Sequence, residues 1–178
     1  MSNWPNGGDY LEAMQHPARF LRDPRLQAYV AETDKWGRPK PSSGQFAIVC
    51  KLKNGTDEKA IKFFLYPQPK REGRYQAISD YLKERGRPTC LVDFHYDPRG
   101  VRIKTDWYPV QVMDWVRGVT LDKWVGQTVQ AGDRQSLLRM AERWVKLLEE
   151  LWGASICHGD LQHGNVMVVG DVPVLVDY

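Results

Sequence analysis

Three polar residues near the end of the chain, Asp160, Asn165 and Asp177, have the types and spacing that serve phosphoryl transfer. Asp160 and Asn165 stand in the run His158-Gly159-Asp160-Leu161-Gln162-His163-Gly164-Asn165. Two short apolar runs follow, 166–169 and 173–176, on either side of Gly170-Asp171. A two-residue Gly-Asp link between such runs predicts a tight hairpin. With Val169 opposite Val172, counting back pairs Asn165 with Val176 and Gly164 with Asp177, so the turn carries Asn165 back beside Asp177. Adjacent side-chain oxygens suit Mg²⁺, a hard cation that takes few protein oxygens and relies on substrate phosphates for the rest. Asp160, on the loop leading into the hairpin, is placed to accept a proton.

A second hairpin supplies a cation. Residues 46–53 and 58–65 are strand-like runs around Asn54-Gly55, a strong turn signal. Pairing 53 with 56 puts Ala47 opposite Lys62 and Val49 opposite Ala60, and opposed residues share a face of the sheet. One face then shows an ammonium beside small apolar groups. The segment leading in, Ser42-Ser43-Gly44-Gln45-Phe46-Ala47, is rich in small residues whose backbone amides can lie over phosphates.

The order of these elements resembles the protein-kinase-like superfamily. Ala60-Ile61-Lys62 is similar to the Val-Ala-Ile-Lys strand of protein kinases. His158-Gly-Asp160-Leu-x-x-x-Asn165 resembles their catalytic loop, with Gly159 where Arg is usual, and Asp177-Tyr178 resembles the start of Asp-Phe-Gly. Residues 113–121 resemble the hinge between two lobes, with Met113 as gatekeeper. The resemblance spans roughly residues 42–178 and implies an α+β, bilobal fold: an extension over 1–41, an N-lobe over 42–113 and a partial C-lobe over 114–178. It implies a phosphotransferase that binds ATP and Mg²⁺ and passes the γ-phosphate to a hydroxyl-bearing acceptor. Asp160 is the implied base, and Asn165 and Asp177 the metal ligands. Lys62 is the implied clamp on the α/β-phosphates, with Ser43 and Gly44 in the covering loop. Ala47, Val49, Ala60, Met113, Asp114, Val116 and Met167 are implied around the nucleotide. His158 is implied to brace the catalytic loop.

The pattern departs from the family in three places. Ser42-Ser43-Gly44-Gln45-Phe46-Ala47-Ile48-Val49 has lost two of the three glycines of the Gly-rich loop. Glu72, Asp80 and Glu84 are the acids on the first helix or at its start, and none is in register to pair Lys62. Gly159 removes the arginine that reads a phosphorylated activation loop. Protein Ser/Thr kinases are the first reading. Small-molecule kinases of the aminoglycoside-phosphotransferase type, which also carry His-Gly-Asp, are the second, and a pseudokinase scaffold is a third. A metallophosphatase reading of His158, Asp160 and His163 lacks an upstream Asp-x-His.

Positioning these groups falls to a small set of elements. Residues 74–85 predict a helix with Tyr75, Ile78 and Leu82 on one face and Gly86 past its end. Residues 91–96 and 101–104 read as strands around the turn Asp97-Pro98-Arg99-Gly100, with 108–113 completing the sheet. Residues 120–129 predict a short helix. Gly132 then introduces a long one with Asp133 as N-cap. Its apolar residues, from Leu137 to Trp152, form more than one stripe, so it should be buried on much of its surface. By the resemblance its covering helices lie beyond Tyr178, so the chain alone is expected to be marginal and catalytically silent.

With 25 basic and 22 acidic side chains among 178 residues, the net charge of +3 gives no case for nucleic acid or an anionic membrane as partner. An apolar content of 42% is enough for a core. No apolar run reaches membrane length. Cys50, Cys90 and Cys157 are widely spaced beside aliphatic residues and read as reduced, buried thiols of a cytoplasmic protein.

Overall fold

The computed structural model describes residues 4–177, and Tyr178, the second residue of the Asp-Phe-like pair, lies outside them. The architecture is α+β, with antiparallel sheets. The chain divides into two compact units, one taking the chain up to Asp80 together with Phe94–Trp115, the other taking Tyr81–Asp93 and the chain from Val116 onward.

The first unit begins with α1 (Gly7–Ala13) and α2 (Pro17–Phe20). Strands β1 (Val30–Ala31), β2 (Pro41–Ser43), β3 (Ala47–Asn54) and β4 (Asp57–Phe64) follow, then α3 (Arg71–Arg85), β5 (Phe94–Ile103) and β6 (Asp106–Asp114). The sheet order is β1-β3-β4-β6-β5, with β2 also on the outer edge of β3. Strand alternation sorts its residues into two faces. Ile48, Cys50, Leu52, Ile61, Phe63, Val110 and Val112 occupy one, and Tyr10, Ala13, Met14, Leu21, Leu26 and Tyr29 close over them as a single core. Residues 4–31 are therefore an integral layer of this unit. Tyr10 stacks on Phe63 at 4.9 Å. Trp4 Nε1 and Tyr10 Oη both donate to the Phe64 carbonyl, at 2.6 and 3.0 Å. Arg22 donates twice to the buried Asp97 carboxylate, at 3.0 and 2.7 Å, which ties the same segment to β5.

Two expectations fail here, for different reasons. The β3–β4 turn is Gly55-Thr56, with Asn54 opposite Asp57 and the left-handed φ of +59° at Gly55, the first loop position. That is where a II′ turn requires it. The pairing is therefore shifted by two residues, and Lys62 lies opposite Val49, Ala47 opposite Phe64. The Asp97–Gly100 turn is not a turn. The strand runs through it with a bulge between Asp97 and Val101. The Asp97 side chain accepts from the Arg99 amide at 2.9 Å. Gly100 packs so closely on Val110 that a Cβ there would overlap that side chain. Local Asx bonding made the segment look turn-like, and its pairing with β6 overrode it. Helix α3 also starts three residues earlier than expected, at Arg71, and ends at Arg85, with Gly86 following at φ +85°.

The second unit holds β7 (Val119–Thr120), α4 (Leu121–Gln130), α5 (Arg134–Gly153), β8 (Val166–Val169) and β9 (Val172–Leu175), with β7-β8-β9 as a small antiparallel sheet. Trp124, Met140 and Val168 form its buried cluster, with Val119, Leu121 and Leu137 against them. Gly132, at φ +68°, breaks the chain between the helices, and the Asp133 carboxylate then caps α5 by accepting from Ser136 N at 2.9 Å. That bonding holds the Asp133 carboxyl below its usual pKa. A depressed folded-state value gives stability above the unfolded pKa that is lost as pH falls through the folded one. Asp133→Ala is therefore expected to lower the melting temperature at neutral pH and to flatten its acid dependence, measured by circular dichroism from pH 7 to 2. Met140, Leu147 and Leu151 of α5 are buried, but Leu138, Val145 and Leu148 are exposed and Trp152 is 88% exposed. Only one of the two apolar stripes is covered. Cys50 and Cys90 are buried, and burial pushes both thiols up to about 11; Cys157 is exposed, against expectation. Among the described residues no helix is long and apolar enough to cross a membrane.

Candidate functional site

The residues of the expected catalytic loop are held by their own hydrogen bonds. Residues 163–165 make one 3-10 turn, with Asn165 N donating to the Gln162 carbonyl at 2.9 Å. The turn folds the Asn165 amide back onto Asp160: Nδ2 donates to the Asp160 carboxylate at 2.8 Å and to its carbonyl at 2.9 Å. Gln162 Nε2 adds a bond to the same carboxylate oxygen at 3.0 Å. Two neutral amides thus hold Asp160 through Oδ2. Asp160 is exposed, and among the described residues no cation pairs with it. Both acceptors of Asn165 Nδ2 belong to Asp160, which leaves the amide oxygen outside this contact.

The hairpin that follows has the predicted register. Val169 pairs with Val172 and Val166 with Leu175, and Val176 N donates to the Asn165 carbonyl at 2.9 Å. His158 is buried and its Nε2 donates to the Val176 carbonyl at 3.0 Å, tying the start of the loop to the strand that returns to Asp177. Asp177 itself has φ +64°, and Gly159 φ +80°. A left-handed aspartate is uncommon and such residues gather at functional sites. This conformation also ends strand alternation at Asp177, so the register alone does not set its side-chain direction. Met167, half-buried between Thr120 and Val174 in the ladder, faces away from the buried Val166 and Val168. Val116 is half-buried. His163 pairs with Asp122 at 3.6 Å. Among the described residues no three or more His, Cys, Asp and Glu side chains gather as a metal site.

In the first unit, register places Val49, Lys62 and Gln111 in one row across the sheet, and Lys51, Ala60, Met113 and Phe94 in the next. Ala47 and Phe64 make a third row on the same face. Five of the expected nucleotide residues, Ala47, Val49, Ala60, Lys62 and Met113, therefore share one face, opposite the one that the N-terminal layer covers. Asp114 does not join them: it pairs with Lys59 across the strands and its carboxylate meets the Lys59 ammonium at 2.5 Å on the other face. Only its backbone is left to a ligand on the Lys62 face. Ser43 ends β2 opposite Ile48, and residues 44–46 form the tip of the β2–β3 hairpin, closed by Gly44 N donating to the Ala47 carbonyl at 2.9 Å.

Helix α3 covers part of this face. Tyr75 Oη donates to Gln111 Oε1 at 3.1 Å, and its ring packs on Phe94 and Tyr96. Two residues carried no signal in the sequence. In the second unit, Gln162 bonds Asp160 only through the geometry of its loop. In the first, Arg71 precedes the expected helix and is buried at the first turn of α3. No protein-family model matches the chain, and no curated protein matches it either.

Proposed function

We propose that this chain is a protein-kinase-like phosphotransferase of bilobal fold, transferring the γ-phosphate of ATP to a hydroxyl in the presence of Mg²⁺. The observation that carries the reading is the Asp160–Asn165 pair: Asn165 Nδ2 donates to the Asp160 carboxylate at 2.8 Å and to its carbonyl at 2.9 Å, a contact that would orient the carboxylate as a base and leave the amide oxygen to a metal. The donor set fits Mg²⁺: an amide oxygen and the Asp177 carboxylate, with phosphates to complete the shell. Bound there, the ion would neutralise phosphate charge. Lys62, in a row with Val49 and beside Ala60 and Met113, supplies the fixed cation and the apolar bed that a nucleotide needs. Asp160 Oδ1 takes the acceptor's proton.

Binding tests the reading directly. ATP affinity is expected to be higher in Mg²⁺ than in EDTA, and Asp177→Ala should remove most of that difference while leaving affinity in EDTA nearly unchanged. Equal loss in both conditions would make Asp177 structural, and no ATP binding by the wild type would refute the nucleotide reading.

Ser/Thr side chains of proteins are the first acceptor class. One observation favours the second, small-molecule class. Gly159 stands at φ +80°, where a side chain such as arginine is strained, so the loop conformation suits the His-Gly-Asp form. ADP release with a serine peptide against an aminoglycoside or choline distinguishes them.

A further inference from the structure

Arg71 is 8% exposed, and among the described residues no carboxylate pairs with it. Its guanidinium lies 4.1 Å from the centre of the Phe64 ring and 6.0 Å from that of Trp4. Nη2 donates to the Tyr66 carbonyl at 2.8 Å, and Nε is sealed from solvent with no acceptor. Among the described residues Nη1 has no hydrogen-bond acceptor. Burial is the largest influence on the guanidinium and disfavours its charge, and Arg74, another cation, acts in the same direction. Glu72, the next residue, is exposed and bears on Tyr96 instead.

A buried cation with no counter-charge is costly, because desolvation is not repaid by a partner. Its position suggests what repays it. Lys62 Nζ is 5.7 Å from the centre of the same Phe64 ring. Phe64 lies opposite Ala47, and Leu65 N donates to the Phe46 carbonyl at 2.9 Å, which puts the small-residue hairpin tip at this end of the sheet. Arg71 also opens a fifteen-residue helix, whose first-turn amides favour anions. A forked guanidinium, an ammonium and a helix N-terminus share this end of one sheet face.

We infer that Arg71 is an anion-binding residue that, with Lys62, forms a two-cation seat for the phosphates of a polyphosphate ligand. That the phosphates belong to a nucleotide rests on the proposed function; the seat itself does not. If the guanidinium were only structural, its stacking on Phe64 and its bond to Tyr66 would be its whole role.

Calorimetry on the full chain separates the two, using tripolyphosphate, ATP, adenosine and inorganic phosphate as probes on wild type, Arg71→Met and Arg71→Lys. The seat predicts that Arg71→Met weakens tripolyphosphate and ATP binding by roughly tenfold to a hundredfold, the range for losing a charge-assisted hydrogen bond. Adenosine binding should not change, and the variant should melt at or above the wild-type temperature because an unpaired buried charge is gone. Arg71→Lys should retain part of the affinity, as a point charge without the fork. ATP binding no more tightly than tripolyphosphate would leave the seat standing and remove the nucleotide as its ligand. Inorganic phosphate matching tripolyphosphate would make a single phosphate the ligand and overturn the polyphosphate seat. Arg71→Met binding every probe as the wild type does, with a lowered melting temperature, would overturn the inference and leave the nucleotide reading intact. A wild type that binds none of the phosphate probes would overturn it as well.

Discussion

Asp160→Asn is expected to lower the rate of phosphoryl transfer by a factor of about 10²–10⁴ while leaving ATP affinity near that of the wild type. Oδ2 of Asp160 is occupied by the amides of Asn165 and Gln162, so its role is to fix the carboxylate plane. In the proposed mechanism Oδ1 accepts the proton of the attacking hydroxyl. Asparagine keeps the shape and can keep an oxygen toward the two amides, but it then presents an NH₂ where the proton must go. Position is preserved and basicity is lost. The readout is single-turnover transfer from ATP in Mg²⁺, paired with equilibrium ATP binding. Equal loss of rate and binding would instead make Asp160 a structural residue of the loop. A companion change, Gln162→Ala, removes one orienting amide and leaves the base itself in place, so it should cost less than Asp160→Asn.

How far the site was legible in the sequence depended on how local its determinants were. The Gly170-Asp171 link fixed its hairpin because a two-residue loop admits one pairing, and counting outward from Val169 and Val172 reached Asn165 and Val176 correctly. The Asn54-Gly55 signal marked the right place but not the loop residues, since glycine supplies the positive φ at the first loop position as well as at the second. The resulting error was two residues, an even number, so every side chain kept its face. Lys62 therefore stayed with Val49 and Ala60 although its partner changed. The Asp97-Pro98-Arg99-Gly100 segment misled because its composition satisfies local turn chemistry, and only pairing with β6, remote in sequence, carries the strand through. Arg71 was illegible for a deeper reason. Burial of a cation is decided by Phe64, Trp4 and Tyr66 converging on it, and no pattern in the sequence marks such an event. The two stripes of α5 were legible as apolar, but whether a stripe is covered is a property of its neighbours.

Gly118→Ala is expected to destabilise the second unit, for a reason that lies in backbone contact and not in glycine's flexibility. Its φ is ordinary. A Cβ at this position would overlap the Val168 carbonyl oxygen and stand 2.9 Å from the Val168 carbonyl carbon, with Val169 Cγ2 at 3.2 Å. The obstacle is main chain in the middle strand of a three-stranded sheet, so it cannot swing aside as the end of a flexible side chain would. Val168 is itself buried against Trp124 and Met140, and its partner Val119 follows Gly118 directly. Relief therefore requires β7 to part from β8, which loosens the strand carrying Met167 and, one residue before its start, Asn165. Overpacking of a fitted interior costs about 1–3 kcal/mol, and the backbone nature of the clash argues for the upper part of that range. Urea titration followed by tryptophan fluorescence measures it. Gly126→Ala is the control: it lies in α4, a Cβ there meets nothing within 4 Å, and alanine favours a helix interior by about 1 kcal/mol over glycine. The two substitutions add the same methyl group and are expected to move stability in opposite directions. A Gly118→Ala variant as stable as wild type would mean that β7 is free to leave the sheet, and that Met167 and Asn165 are positioned without it.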